Sequence, residues 1–306
     1  MENCTENFPF TLGLVCTLPE GLAVFFAALN IFLSMSASLG NALILIALHK
    51  VTSVHPPTKL LFQCLAVTDL FVGIITQPLY AAIMLYIVTK MKWNILYYVD
   101  VIEDVSSLIL CQVSIFTSTA ISLDRLLALF LGLRYRNVVT LRRVYVLLNY
   151  FWLTSICIAF MFNFWNGSFS LFIAIGLGAT SVIISLFSYT KIFFKLRQQQ
   201  AQVQGVHQGQ LNGEGIPLNI ARYKKTVSSI AWVQLALAAC YPPYIISVVS
   251  IMITGWSGMS AGIVWISAET LVFLNSSINP ILYCWKIKEV RQAVKDTIRK
   301  FCCSSS

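Results

Sequence analysis

Residues 58–87 read TKLLFQCLAVTDLFVGIITQPLYAAIMLYI, a run in which Lys59 and Asp69 are the only charged side chains. A bilayer core about 30 Å thick takes about 20 apolar residues of helix, and this run exceeds that length. In lipid the backbone has to satisfy its own polar groups, which a helix does within a single segment. Similar runs lie on either side, roughly at 22–48, 95–130, 143–164, 168–196, 222–254 and 260–285. The fold class expected is an all-α membrane protein, a single domain over 1–306 with seven transmembrane helices between 22 and 285. Composition agrees. The chain is 58% hydrophobic and 11% charged, with a mean hydropathy of +0.77, whereas a soluble domain carries about 25% charged residues.

The net charge of +9 does not point to nucleic acid, because the basic residues sit in loops between apolar runs. Short Lys- and Arg-rich loops stay in the cytoplasm. The loops on the amino-terminal side contain only Lys90 and Lys92. The opposite side holds Lys50, Lys59, Arg134, Arg136, Arg142, Arg143, Lys195, Arg197, Arg222, Lys224, Lys225 and a basic tail from Lys286. The expected topology places residues 1–21 outside the cell and the carboxyl terminus inside, in a plasma-membrane, multi-pass arrangement.

Asn3-Cys4-Thr5 then becomes an external glycosylation acceptor at Asn3. Asn166-Gly167-Ser168 is either a second acceptor or a plain turn. Cys4 and Cys16 are both external and open to pairing. Residues 198–219 include QQQAQVQGVHQGQLNGEG and have little to bury, so a disordered third cytoplasmic loop is expected there. In 286–306, Ile287, Val290, Val294, Ile298 and Phe301 alternate with Lys288, Arg291, Lys295 and Arg299. That pattern reads as a short amphipathic eighth helix on an anionic leaflet. Cys302 and Cys303 follow it as palmitoylation candidates.

Ionisable and amide side chains within spans are costly and invite a functional reading. Asp69 lies mid-span in Leu65-Ala66-Val67-Thr68-Asp69-Leu70; Asn41, Ser114, Asn275 and Asn279 lie in spans one, three and seven. They form either hydrogen-bonded glue between helices or a site for a small cation or proton. Asp124-Arg125-Leu126 ends span three. Pro280 and the pair Pro242-Pro243 kink spans seven and six, and Asn279 is placed to re-satisfy a carbonyl freed by its neighbour.

Taken in order, Gly40-Asn41, Leu65 to Leu70, Asp124-Arg125-Leu126, Trp152, Tyr189, Pro243 and Asn279-Pro280 to Tyr283 resemble the class A (rhodopsin-like) G-protein-coupled receptor pattern, one element per span. The resemblance implies a receptor for an extracellular ligand that activates a heterotrimeric G protein by helix rearrangement. It implies switch roles for Asp124, Arg125, Tyr189, Tyr241, Pro243, Asn279, Pro280 and Tyr283. It also implies an allosteric sodium ion at Asp69, Ser114, Asn275 and Asn279, and otherwise no cofactor. Departures are Leu126 in the Asp-Arg-Tyr triplet, Tyr241 for the usual Trp, Ser181 for the span-five proline, and Tyr223 for the acid that partners the arginine. The last predicts raised basal activity. Asp100 replaces the usual span-three cysteine, so the common external disulfide is absent.

Asp100, Glu103 and Asp104 sit three and four apart near the outer end of span three and so share a helix face. Glu269 lies in the outer half of span seven. These four acids are either a solvated rim or a ligand site for a cationic or peptide ligand. The chain is here similar to melanocortin receptors, which implies calcium at Asp100 and Asp104; their third acidic ligand corresponds to Leu79. An aminergic receptor would want an acid at Ser107 and a photoreceptor a lysine at Phe273. A small multi-pass transporter or channel is the rival class, but no internal repeat appears. No Ser/His or Cys/His constellation points to an enzyme, and His49, His55 and His207 all lie in or beside cytoplasmic loops.

Overall fold

The computed structural model describes residues 10–51, 54–89, 93–207, 239–286, 291–292, 294–296 and 299. Over these residues the chain is helical. A short α1 (Phe10–Val15) leads into α2 (Glu20–Lys50). The next rod is α3 (Pro56–Phe71), a π-turn (Val72–Thr76) and α4 (Gln77–Thr89). Then come α5 (Trp93–Leu131), a single 3-10 turn, α6 (Tyr135–Val138), α7 (Leu141–Phe164) and α8 (Gly167–His207). The described part of span six is α9 (Ala239–Thr254), and α10 is Met259–Lys286. Six helices are long and apolar enough to cross a membrane, and α9 is a shorter apolar helix. The eighth helix, Asn3, Cys4, Tyr223, Cys302 and Cys303 lie outside the described residues or in fragments of them.

The distribution of side chains is that of a bundle in lipid. Phe32, Leu39, Leu153, Ile183 and Phe187 face outward, far more exposed apolar surface than a water-soluble domain presents. The polar side chains of Asn30, Asn41, Asp69, Gln77 and Asn279 are wholly buried instead. The apolar core falls into layers. An outer cluster joins Tyr80, Met84, Leu110, Ile251, Trp265 and Phe273. An inner one joins Ile44, Leu61, Leu65, Ile121 and Leu148. Leu12, Leu14 and Val15 of α1 are buried in the outer cluster, so this helix rests on α4 and α10.

Two glycines permit close helix approach. A Cβ on Gly40 would come within 2.9 Å of the Pro280 ring, and one on Gly73 within 2.8 Å of the Ser38 backbone nitrogen. Gly73 lies in the π-turn, and its carbonyl accepts the Ser34 hydroxyl at 2.6 Å. Pro280 removes the helical partner of the Ser276 carbonyl. Asn41 of α2 supplies the replacement, its Nδ2 donating to that oxygen at 3.0 Å. Asn279, expected to do this, turns instead to Asp69, because the fixed geometry of its own helix aims it across the bundle.

The long α8 corrects one expectation. It continues to His207, into the stretch read as disordered from residue 198. Gln and Ala are good helix formers, and a helix already nucleated in the span propagates at little cost.

Candidate functional site

Asp69 is the centre of the mid-bundle network. Ser276 Oγ donates to its Oδ1 at 2.8 Å, Ser114 Oγ to the same oxygen at 3.3 Å, and Asn279 Nδ2 to Oδ2 at 2.7 Å. The carboxylate thus ties α3, α5 and α10 together. Ser114 and Asn279 are where the sequence pattern places them. Asn275 is buried, but Ser276 takes the contact with Asp69 in its place. The reason is geometric: residues three and four before Asn279 share a helix face, and only the packed register selects one of them. The oxygens of Asn275 and Asn279 have no hydrogen-bond partner among the described residues. A carboxylate, two hydroxyls and the spare Asn279 oxygen form an all-oxygen donor set, which fits a hard monovalent cation such as sodium.

At the inner end of α5, Arg125 is held by its neighbour. Its Nε donates to Asp124 Oδ2 at 3.1 Å, and its Nη2 contacts that oxygen more closely and donates to Thr58 Oγ1 at 2.8 Å. The Thr58 hydroxyl donates to Asp124 Oδ2 at 3.0 Å. Tyr135, on the loop helix α6, donates its hydroxyl to Asp124 Oδ1 at 2.5 Å, and its ring stands 5.2 Å from that of His55. Sequence reasoning found Asp124 and Arg125 but missed Thr58 and Tyr135. Their only signal was proximity to the same cytoplasmic end. Tyr189 packs half-buried against the inner cluster; the side chain of Tyr283 is outside the described residues.

Higher in the bundle, the Tyr241 hydroxyl of α9 donates to the Cys111 carbonyl of α5 at 3.3 Å. Pro243 lies two residues further along α9, partly buried. Ser181, in place of the span-five proline, bonds back to Leu177 at 2.8 Å and offers its carbonyl to Thr119 at 3.2 Å. Ser185 then donates to the Thr119 hydroxyl at 3.1 Å. A hydroxyl ladder therefore joins α5 to α8.

A cavity opens between α5, α8, α9 and α10. Ser107, Cys111, Gln112 and Ile115 form one wall, Leu171, Ile175 and Gly178 a second, and Tyr241, Tyr244, Glu269 and Phe273 the third. Its mainly apolar lining with a few polar groups is of the kind that takes a small organic ligand. Of the four acids singled out in the sequence, Glu269 lines it. Trp265 Nε1 donates to Glu269 Oε2 at 3.0 Å and stacks at a tilt 5.5 Å from the Tyr244 ring. Asp100, Glu103 and Glu269 are buried and Asp104 is half-buried, so these acids are not a solvated rim. Among the described residues no three His, Cys, Asp or Glu side chains are grouped so as to hold a metal ion; Asp100 and Asp104 gain no third carboxylate for calcium.

A bundle of apolar helices with a buried mid-bundle carboxylate, an Asp-Arg pair at one end and a cavity at the other is the architecture of a multi-pass membrane protein. Residues 40–170 match the family model described as 7 transmembrane receptor (rhodopsin family), so this part of the chain is similar to that family.

Proposed function

We propose that the chain binds an extracellular organic or peptide ligand, cationic in character, in the cavity beside Glu269 and activates heterotrimeric G proteins from its inner face. The observation that carries this reading is the single rod α5, Trp93–Leu131. Its outer half walls the cavity through Ser107 and Cys111, and its inner end carries the Asp124–Arg125 pair. A ligand that favours one arrangement of the helices around α5 shifts the population of the other end by its differential affinity. Arg125 contacts the G protein once released from Asp124 and Thr58. Tyr241 and Pro243 allow α9 to move, with Tyr189, Asn279, Pro280 and Tyr283 supporting the rearranged inner face. The amino terminus faces out. Asp69, Ser114, Ser276 and the Asn279 oxygen hold a sodium ion that favours the resting state.

The test is ligand-free activation measured against a panel of G proteins. Activation of at least one subtype by the native chain, lost in Arg125→Ala at equal surface expression, is the expected result. Activation that persists in Arg125→Ala would show that the inner-face assignment is wrong.

A further inference from the structure

Several polar side chains away from Asp69 are buried with hydrogen-bonding capacity unmet, on facing stretches of α4 and α5. Gln77 is wholly buried, and neither its amide oxygen nor its nitrogen has a hydrogen-bond partner among the described residues. The Tyr80 hydroxyl and Glu103 Oε1 are in the same condition, each on a residue 3% exposed. Gln77 and Tyr80 are three apart on α4 and share a face. The Thr76 hydroxyl donates to Ser106 Oγ at 3.2 Å, pinning α4 against α5 at this height. Ser106 Oγ donates in turn to the Glu103 carbonyl at 3.0 Å, one turn outward. The third wall is Glu269 of α10. Glu103 lies within its electrostatic reach, and the Tyr80 hydroxyl lies beside it without meeting hydrogen-bond geometry.

The charges acting on Glu103 and Glu269 include no cation among the described residues. Buried charges are normally paired, and buried amides normally hydrogen-bonded. Water satisfies an amide or a phenol, but two neighbouring buried carboxylates stay ionised together only with a cation between them. An anionic or purely apolar guest would leave the same groups unmet. The complement of two carboxylates, an amide oxygen and a phenol is a cation with several N–H donors. A guanidinium offers five and a primary ammonium three.

We propose that Gln77, Tyr80, Glu103 and Glu269 form a head-group subsite for the guanidinium or primary ammonium of an organic ligand whose apolar body occupies the cavity beyond Glu269. The subsite rests on the receptor reading above and deepens it. Glu269 is the shared wall, since it also lines the apolar cavity bounded by Leu171 and Ile175. The ligand class is an amphipathic organic cation, bound across α4, α5 and α10 at its charged end.

The experiment follows thermal unfolding of the purified full chain titrated with phenethylguanidine, phenethylamine and the neutral phenethylurea. The expected result is saturable stabilisation by the two cations at half-saturating concentrations at least tenfold below that of the urea. Gln77→Leu, Tyr80→Phe and Glu103→Gln each shrink that advantage to under threefold while leaving the response to the urea in place. Leu171→Trp, which fills the cavity, weakens all three probes. Equal effects of the three compounds on the native chain, including no effect, overturn the proposal. So does a cation advantage that survives all three subsite substitutions; Gln77→Leu and Tyr80→Phe keep the test decisive if Glu103→Gln fails to fold. The G-protein panel uses no ligand and so reads separately. Cation binding without Arg125-dependent activation sinks the receptor reading alone, and the converse sinks the subsite alone.

Discussion

Arg125 has its charge satisfied locally, by Asp124 next to it and Thr58 across the helix interface. Tyr135 grips the other oxygen of the same carboxylate. Hydrogen bonds to charged groups contribute about 1.5–3 kcal/mol, and about 1.4 kcal/mol is a tenfold change in an equilibrium. Tyr135→Phe is therefore expected to raise ligand-free G-protein activation by roughly tenfold or more, with Thr58→Ala acting in the same direction; unchanged basal signalling at matched expression would remove Tyr135 from the restraint. The replacement of the span-six acid by Tyr223 predicts basal activity too, but the arginine's local partners set a floor that the substitution alone does not lower. Asp124 and Arg125 were legible as a motif at a helix end. Thr58 and Tyr135 were not, because a threonine and a tyrosine near a basic loop carry no pattern until the helices are packed. Ser276 eluded the reading for the related reason that both it and Asn275 face the bundle. At Asp69 the consequence is an ion-specific effect. Sodium chloride, compared with choline chloride, is expected to raise the unfolding temperature of the native chain and to leave that of Asp69→Asn unmoved.

Among the elements, spans one to five and seven were legible from run length, since about 20 apolar residues admit little else. Most of their ends shift only slightly, as with α2 at Glu20–Lys50 against 22–48, whereas α8 runs on to His207 past an expected end at 196. The interruption at Val72–Thr76 was invisible. VGIIT reads as any apolar helix, and what selects the π-turn is its contact with α2: Ser34 takes the Gly73 carbonyl, and Ser38 stands where a side chain would begin. Backbone cannot yield as a flexible side chain does, and overpacking costs about 1–3 kcal/mol. Gly73→Ala should thus lower the unfolding temperature of the purified protein by several degrees. A variant as stable as the native chain would mean that α2 and α4 slide apart freely.

For the molecule as a whole, composition separated membrane from water, and the asymmetry of Lys and Arg gave a topology. An amino-terminal epitope tag is expected to bind antibody on intact cells and a carboxyl-terminal tag only after permeabilisation; the reverse pattern would invert the assignment of cavity and inner face. The cavity itself was only partly legible. Glu269 was picked out by its charge, but Leu171, Ile175 and Tyr244 are ordinary apolar residues that become walls only where four helices converge. The acids of α5 had two open readings in the sequence, and burial of Asp100 and Glu103 removes the solvated rim. The family match over 40–170 spans the Asp69 and Arg125 regions, while α9 and α10 rest on geometry and on their own motifs.

The π-turn also governs the azimuth of everything outward of it. Each residue of an α-helix advances about 100° around the axis, and the wider turn, closed by the Gln77 N–H on the Val72 carbonyl, absorbs one residue without advancing. Tyr80 consequently occupies the compass bearing that residue 79 would hold on an unbroken rod counted from Asp69. Shortening this stretch by one residue would preserve that bearing. Straightening it at constant length would swing Gln77 and Tyr80 a quarter-turn off Glu103. The rod therefore carries two independently set dials, an inner one zeroed on Asp69 and an outer one zeroed on Glu103, and the outer dial can be reset without disturbing the inner.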